Sequence, residues 1–246
     1  RYYAEEKFGK LVEDIRPKPE KIKISFKGKL RDETHQNEAL SKAIEAGHGI
    51  LSLPCGFGKT TVSLAIACKL GYRTMIVVHK EFLANQWKER IQQFCPGASI
   101  GIVRQNKKEV NCDFVIAMLQ SLSLKEYSFE DFDSIGTLIV DEAHHICAKV
   151  FSQSLFKLCP KHTFGLSATP NRKDGLTKVL HWFMGPTFFA VERKNQEQVE
   201  VFPVVYDSPN YKNPPPSMRN GKISMPNNLP APNNSRKNAT IIRIAE

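Results

Sequence analysis

The stretch Leu53-Pro54-Cys55-Gly56-Phe57-Gly58-Lys59-Thr60-Thr61 sets two glycines before a lysine and two hydroxyls. Glycines let successive backbone N–H groups turn inward as an anion nest, and a helix opening directly behind them adds the positive end of its dipole. That chemistry is polyphosphate binding. Lys59 is the candidate for the β- and γ-phosphates and Thr60 for Mg²⁺, with Gln36, Cys55, Gly56, Phe57, Gly58 and Thr61 as further nucleotide-binding candidates. Only the second half of the pattern G-x-x-x-x-G-K-[ST] is met, because Leu53 stands at its first glycine. A tight turn before an ordinary buried helix is the competing account.

About eighty residues on, Thr137-Leu138-Ile139-Val140 leads into Asp141-Glu142-Ala143-His144. A continuous apolar run reads as a buried parallel strand, and two acids at its end are costly there without a cation to face. Asp141 is the candidate to hold Mg²⁺ through its water shell, and Glu142 to orient and deprotonate a water. Together with Lys59 they form the catalytic set. The competing account is an acidic first turn on the next helix.

These groups need elements to hold them. Gly49–Leu53 reads as a short strand before the glycine loop, and Val62, Ile66 and Leu70 keep helical spacing up to Gly71. The stretch Leu30 to Leu40 leads a helix to Ala46 with Gly47 as its cap, 73–78 reads as a buried strand, and 81–94 as a helix with Leu83, Trp87, Ile91 and Phe94 on its core face. Residues 99–104, 113–118 and 163–166 read as further strands and 148–158 as a helix. Alternating strands and helices predict an α/β fold with a mostly parallel sheet flanked by helices. In such sheets ligands meet the carboxyl ends of the strands.

Other candidates follow from position. Gln36 lies about twenty residues before the glycine loop, and its amide offers the paired donor and acceptor that an adenine edge demands; a solvated glutamine at a helix start is the alternative. Lys80, Gln120 and Ser121 follow strand ends and suit a nucleic-acid backbone read without base sequence. Arg172, in the turn Asn171–Gly175, joins them. Ser167 and Thr169 flank Ala168 and can hydrogen-bond toward His144, coupling one site to the other; ordinary strand-end turn chemistry competes.

The 246 residues carry a net charge of +10, which favours a polyanionic partner, and 41% hydrophobic content suffices for a core. Six cysteines, at 55, 68, 95, 112, 147 and 159, show no C-x-x-C pair and no zinc spacing, so reduced structural thiols are expected. With neither a secretory signal nor eighteen consecutive apolar residues, the chain reads as soluble and intracellular, with no membrane partner. Residues 1–16 read as a helix. Residues 21–27 alternate strictly and read as a half-buried strand with a basic outer face, either an edge guarded by lysines or a nucleic-acid contact. Residues 199–206 read as a strand. From Pro209 to Asn238 there are seven prolines and eight asparagines, a composition expected to stay an exposed loop.

Phosphate loop, Asp-Glu-Ala-His and Ser-Ala-Thr, in this order, resemble the first motor domain of a superfamily 2 helicase of the DEAH-box type. Gln86-Trp87, Met118-Leu119-Gln120-Ser121-Leu122 and Gly165 through Gly175 are similar to a narrower group. It holds the XPB subunit, the phage UvsW helicase and the poxvirus transcript-release helicase, with helicases of large cytoplasmic DNA viruses nearest. The resemblance implies a RecA-like domain over 31–192 that binds ATP and Mg²⁺, couples through His144, Ser167 and Thr169, and moves on DNA or RNA. It implies 1–30 as a preceding helix and basic strand, and 193–246 as a connecting strand, a Pro/Asn-rich loop and the start of a second RecA-like domain. It also implies partners in transcription or replication, and localisation to cytoplasm or nucleus, or to host cytoplasm or virion. The family's segment Leu-Arg-x-Tyr-Gln is altered here, since two extra residues separate Arg31 from Gln36 and His35 replaces the tyrosine. Without the second domain's arginine fingers, hydrolysis by this chain alone is expected to be slow. Two rival functions are a double-strand translocase that does not unwind and a nucleic-acid docking module without catalysis.

Overall fold

The computed structural model describes Gly9, 17–128, 130–144, Leu155, 158–168, 177–191 and two short strands, 217–219 and 222–224. The expected helix over 1–16, most of the one over 148–158, the strand over 199–206 and the helical start after 236 lie outside the described residues, as do Thr169 and Arg172. The chain divides into two compact units, Arg1–Gln196 and Glu197–Glu246.

The first unit is built on an eight-stranded sheet. Its strands are β1 (His48–Ser52), β2 (Thr74–Val78), β3 (Ile100–Arg104), β4 (Lys107–Lys108), β5 (Phe114–Met118), β6 (Thr137–Val140), β7 (His162–Ser167) and β8 (Thr187–Ala190). They lie in the order β4-β3-β5-β2-β6-β7-β1-β8. Every pairing is parallel except β3 with β4, which a two-residue turn joins. Helix α1 (Gln36–Ala46) precedes β1, and α2 (Lys59–Leu70), α3 (Glu81–Phe94), α4 (Leu119–Leu124) and α5 (Thr177–Met184) lie between strands.

Alternate residues of the central strands feed two cores. Met75 and Val77 with Val115, Leu138 and Val140 meet α4 and α5 on one face, while Ile76 and Val78 with Ile116, Ile139 and Leu166 meet α1, α2 and α3 on the other. Parallel strands covered on both faces must be apolar throughout, and β2 is buried at all five positions. Helix α2 departs from the one-sided pattern its spacing predicts. Val62 through Ala67 are all buried, because α2 is packed between α1, α3 and the sheet. Gly47 and Gly71 end α1 and α2 in the left-handed conformation, each returning its N–H to the last turn.

Residues 21–27 are not a strand of the sheet, contrary to expectation. Burial does alternate along them, but the segment is an extended strap laid over the ends of two helices. Ile22 N–H donates to Gly71 O at 2.8 Å and Lys27 N–H to Phe94 O at 2.7 Å. The strap thus satisfies carbonyls that helix ends leave open, while Ile24 and Phe26 join the core beneath. Period-two burial needs only an extended backbone on a surface, not a ladder. Cys68 and Cys95, two of the described cysteines, hydrogen-bond across 3.4 Å between α2 and the end of α3.

In the second unit, β9 (Ser217–Arg219) and β10 (Lys222–Ser224) pair antiparallel. This corrects the expectation of a loop throughout the Pro/Asn-rich stretch. The sequence between them is Asn220-Gly221, a dipeptide that favours two-residue hairpin connections.

Candidate functional site

Parallel pairing in register brings the expected residues to one edge. Ser52 pairs with Ser167, and Val140 lies beside Gly165, so the glycine loop after β1, Asp141 after β6 and Ser167 at the end of β7 emerge side by side. Beyond β6 the same edge continues with His79 and Lys80 after β2, Gln120 and Ser121 after β5, and Gln105 after β3.

The loop itself adopts backbone that its composition allows. Gly56 and Gly58 have φ of 85° and 81°, and Lys59, Thr60 and Thr61 form the first turn of α2, with Gly58 as N-cap. A Cβ on Gly58 would meet Gln36 Nε2 at 2.5 Å, so the second glycine is required by a close neighbour as well as by its dihedral. Lys59 Nζ donates to Leu53 O at 3.0 Å, which folds its ammonium back over the loop. Cys55 and Gly56 are exposed, and Phe57 is half-buried.

Gln36 is placed differently from the sequence expectation. It is 1% exposed, and its amide is engaged within the chain: Oε1 accepts from Arg31 N–H at 2.9 Å and Nε2 donates to Phe57 O at 2.8 Å. Arg31 adds a bond from its guanidinium to Gly56 O at 3.2 Å. Gln36 and Arg31 therefore brace the phosphate loop in this structure. The two residues inserted between them are absorbed by a turn in which His35 takes φ 55°, and the Gln36 N–H still bonds Arg31 O.

The acidic pair is strained and supported. Glu142 has φ 47°, a left-handed conformation worth about 1–3 kcal/mol of strain for such a residue. Its N–H donates to Asp141 Oδ1 at 3.0 Å, and Trp87 Nε1 donates to Asp141 Oδ2 at 2.9 Å. Burial raises the Asp141 carboxyl above its ordinary pKa; the Trp87 bond opposes this, the Glu142 charge adds to it, and Lys59 draws it back. His144 Nδ1 lies 3.4 Å from Glu142 Oε2. Ser167 is fully buried and its carbonyl accepts from Leu53 N–H at 3.2 Å, tying the end of β7 to the glycine loop.

Trp87 is the residue that sequence reading missed. Its register with Leu83 and Ile91 marks it as core, and it is 1% exposed, yet its indole N–H is aimed at the carboxylate. An indole N–H seldom stays unpaired when buried, which was the available signal; its partner was not.

One hydroxyl, Thr60, and one carboxylate whose two oxygens are already oriented suit a cation that keeps waters and takes phosphate oxygens. Mg²⁺ behaves so. Among the described residues no three His, Cys, Asp or Glu side chains gather into a site that could hold a metal without a ligand's help. No helix among them is long and apolar enough to cross a membrane.

On the other half of the edge, Gln120 Nε2 donates to His79 O at 2.7 Å and Ser121 Oγ accepts from Gln105 N–H at 3.1 Å. Lys80 is exposed, its Nζ 5.9 Å from the centroid of the Phe82 ring. Burial, then the Lys80 charge, hold the His79 imidazole below its ordinary pKa.

This sheet with its flanking helices has the fold of a superfamily 2 helicase core. It resembles the UvsW helicase of bacteriophage T4 with a TM-score of 0.55, at 20% identity over 68% of this chain and 63% of that one. It resembles a Sulfolobus solfataricus SWI2/SNF2 ATPase core with 0.53, at 19% identity over 65% and 36%. Within that class, residues 29–172 match the family described as type III restriction enzyme, res subunit, and the chain belongs to it. A provisionally named ATP-dependent RNA helicase of Acanthamoeba polyphaga mimivirus is 36% identical over 83% of this chain and 40% of its own length. A DNA 3'-5' translocase of Sulfurisphaera tokodaii is 32% identical over 72% of this chain and 38% of its own. The chain thus spans about two fifths of either relative.

Proposed function

We propose that this chain is an ATP-binding motor domain of a helicase or translocase. ATP and Mg²⁺ would lie across the carboxyl ends of β1, β6 and β7, and a nucleic-acid strand across those of β2, β5 and β3. One observation carries the reading: the phosphate loop and the Asp141-Glu142 pair share a single sheet edge with Lys80, Gln120 and Ser121.

In this reading the nest around Gly56 and Gly58 and the Lys59 ammonium bind and orient the phosphates. Thr60 and Asp141 hold Mg²⁺, which when bound supplies positive charge against the phosphate oxygens. Glu142 positions the attacking water and accepts its proton, with His144 beside it. Lys80, Gln120 and Ser121 contact the strand, and α3 connects the halves. It starts beside Lys80 and, two turns later, carries the indole bonded to Asp141.

The names of relatives divide between RNA for the mimivirus protein and DNA for the archaeal one, and the Sulfolobus neighbour was solved with double-stranded DNA. The test therefore measures ATP hydrolysis with single-stranded DNA, double-stranded DNA and RNA. It uses this chain and a longer protein that includes a second motor domain. Slow turnover by the chain, rising in the longer protein with one of the three, establishes the motor and names its track. Nucleic-acid binding without stimulated turnover in either protein turns the reading into a docking module.

A further inference from the structure

Three large hydrophobic side chains are exposed among the described residues: Phe82 at 61%, Leu124 at 78% and Trp182 at 37%. Two of them belong to elements that leave the same edge. Phe82 is in the first turn of α3, behind β2, and Leu124 ends α4, behind β5. Between α4 and the turn joining β3 to β4 lies a cavity of about 290 Å³. Met118 and Leu124 give it an apolar surface, and Arg104, Gln105, Ser121 and Lys125 line it with polar groups.

This ground is braced from three sides. Gln105 N–H donates to Ser121 Oγ, which ties the turn to α4; Gln120 ties α4 to the loop after β2; Arg104 makes a two-bond ion pair with Glu81, which ties β3 to α3. Gln105 holds φ 51°, in a region that disfavours glutamine. The cations Lys80, Arg104 and Lys125 lie on this ground, Arg104 facing Glu81 and Lys125 donating to Asn106 Oδ1.

A phosphodiester backbone needs donors and positive charge but gains nothing from exposed leucine and phenylalanine. A nucleobase has apolar faces and a polar rim, and amides can serve either donor or acceptor on that rim. In a duplex the base faces are stacked and hidden; in a single strand they are available.

We propose that the cavity between α4 and the β3–β4 turn receives an unstacked base of a single strand, and that Phe82 stacks on a neighbouring base. The inference rests on the nucleic-acid track proposed above and names its substrate class. Contact is through base faces and mixed amides, so it favours single strands without selecting a sequence. Lys80, seated by one side of the Phe82 ring, adds a cation for the phosphate of the stacked nucleotide.

The experiment compares, at one salt concentration, binding of the full chain to fluorescent oligodeoxythymidylate and oligouridylate. An abasic oligonucleotide of equal length and charge, and a duplex, serve as controls. The base-bearing strand should bind roughly 10-fold more tightly than the abasic one, since a stacked base is worth about 5- to 150-fold in affinity. Phe82→Ala and Leu124→Ser should shrink that preference while leaving abasic binding and the melting temperature where they were. Equal wild-type affinity for base-bearing and abasic strands overturns the base site while leaving the track reading intact. So do variants that weaken both strands alike. Absence of binding to every strand at low salt removes the track and the base site together.

Discussion

The indole N–H of Trp87 donates to Oδ2 of Asp141 at 2.9 Å, joining the middle of α3 to the end of β6 across 54 residues of sequence. Since α3 also carries Lys80 at its N-cap, one rigid element touches both halves of the sheet edge. Trp87→Phe keeps the ring volume and removes the donor. Supporting hydrogen bonds of this kind tune metal affinity by about 10- to 100-fold. The Mg²⁺ concentration needed for nucleotide binding should rise by about 10-fold in the variant. A lower melting temperature with unchanged Mg²⁺ dependence would reduce Trp87 to packing.

Asp141 is a buried acid whose pKa is raised, chiefly by burial. For an acid raised on folding, the folded state binds more protons than the unfolded one. Metal-free stability therefore falls as pH climbs from the unfolded value through the folded one. Asp141→Asn removes the charge and keeps an oxygen for Trp87, at the loss of the bond from the Glu142 N–H, which offsets part of the gain. Without Mg²⁺ at neutral pH it should melt higher, by a few degrees at most, since 1 kcal/mol is worth about 2–4 °C in a chain of this size. The gain should shrink toward pH 4. A lower melting temperature at neutral pH contradicts the buried-charge account.

Gln36→Ala leaves the Phe57 carbonyl and the Arg31 N–H without their partners. The expected loss is on the order of 1–3 kcal/mol, and it should be present without nucleotide. A side chain that served only to read adenine would leave the melting temperature alone and change the preference for ATP over GTP. Thermal melting of the nucleotide-free chain decides between brace and reader.

Glu142→Gln retains shape and hydrogen-bonding length while removing the proton acceptor. Nucleotide binding should persist, and turnover in the two-domain protein should fall by about 10² to 10⁴, the usual contribution of a general base. Undiminished turnover would move that role elsewhere.

Gly58→Ala meets two obstacles, a φ of 81° and a Cβ only 2.5 Å from Gln36 Nε2. Nucleotide affinity should fall at least 10-fold, with a melting loss comparable to that of Gln36→Ala. A Gln36→Ala, Gly58→Ala pair should lose less than the sum, because the first change removes the atom that the second collides with. Strict additivity, measured by a double-mutant cycle, would place the whole cost in the dihedral.

Much of the edge was written locally. The glycine loop, the apolar runs of β2 and β6 and the capping glycines Gly47 and Gly71 act within a few residues, so spacing alone gave their form and their order in the chain. The tertiary structure decided the partners. Residues 21–27 carry the alternation of a strand, but their N–H groups found helix-end carbonyls at Gly71 and Phe94 rather than a neighbouring strand. Gln36 has the amide of a base reader, and its position in the fold gives one bond at each end of that amide to Arg31 and Phe57. Trp87 reads as core, and only the placement of β2 beside β6 brings Asp141 within its reach. Local pattern determines where strands, helices and tight turns begin and end, while packing on a second side buried Val62 through Ala67 beyond what their spacing shows. The group that answers a buried donor or acceptor is set by sheet order and helix packing, which join residues that the sequence keeps far apart.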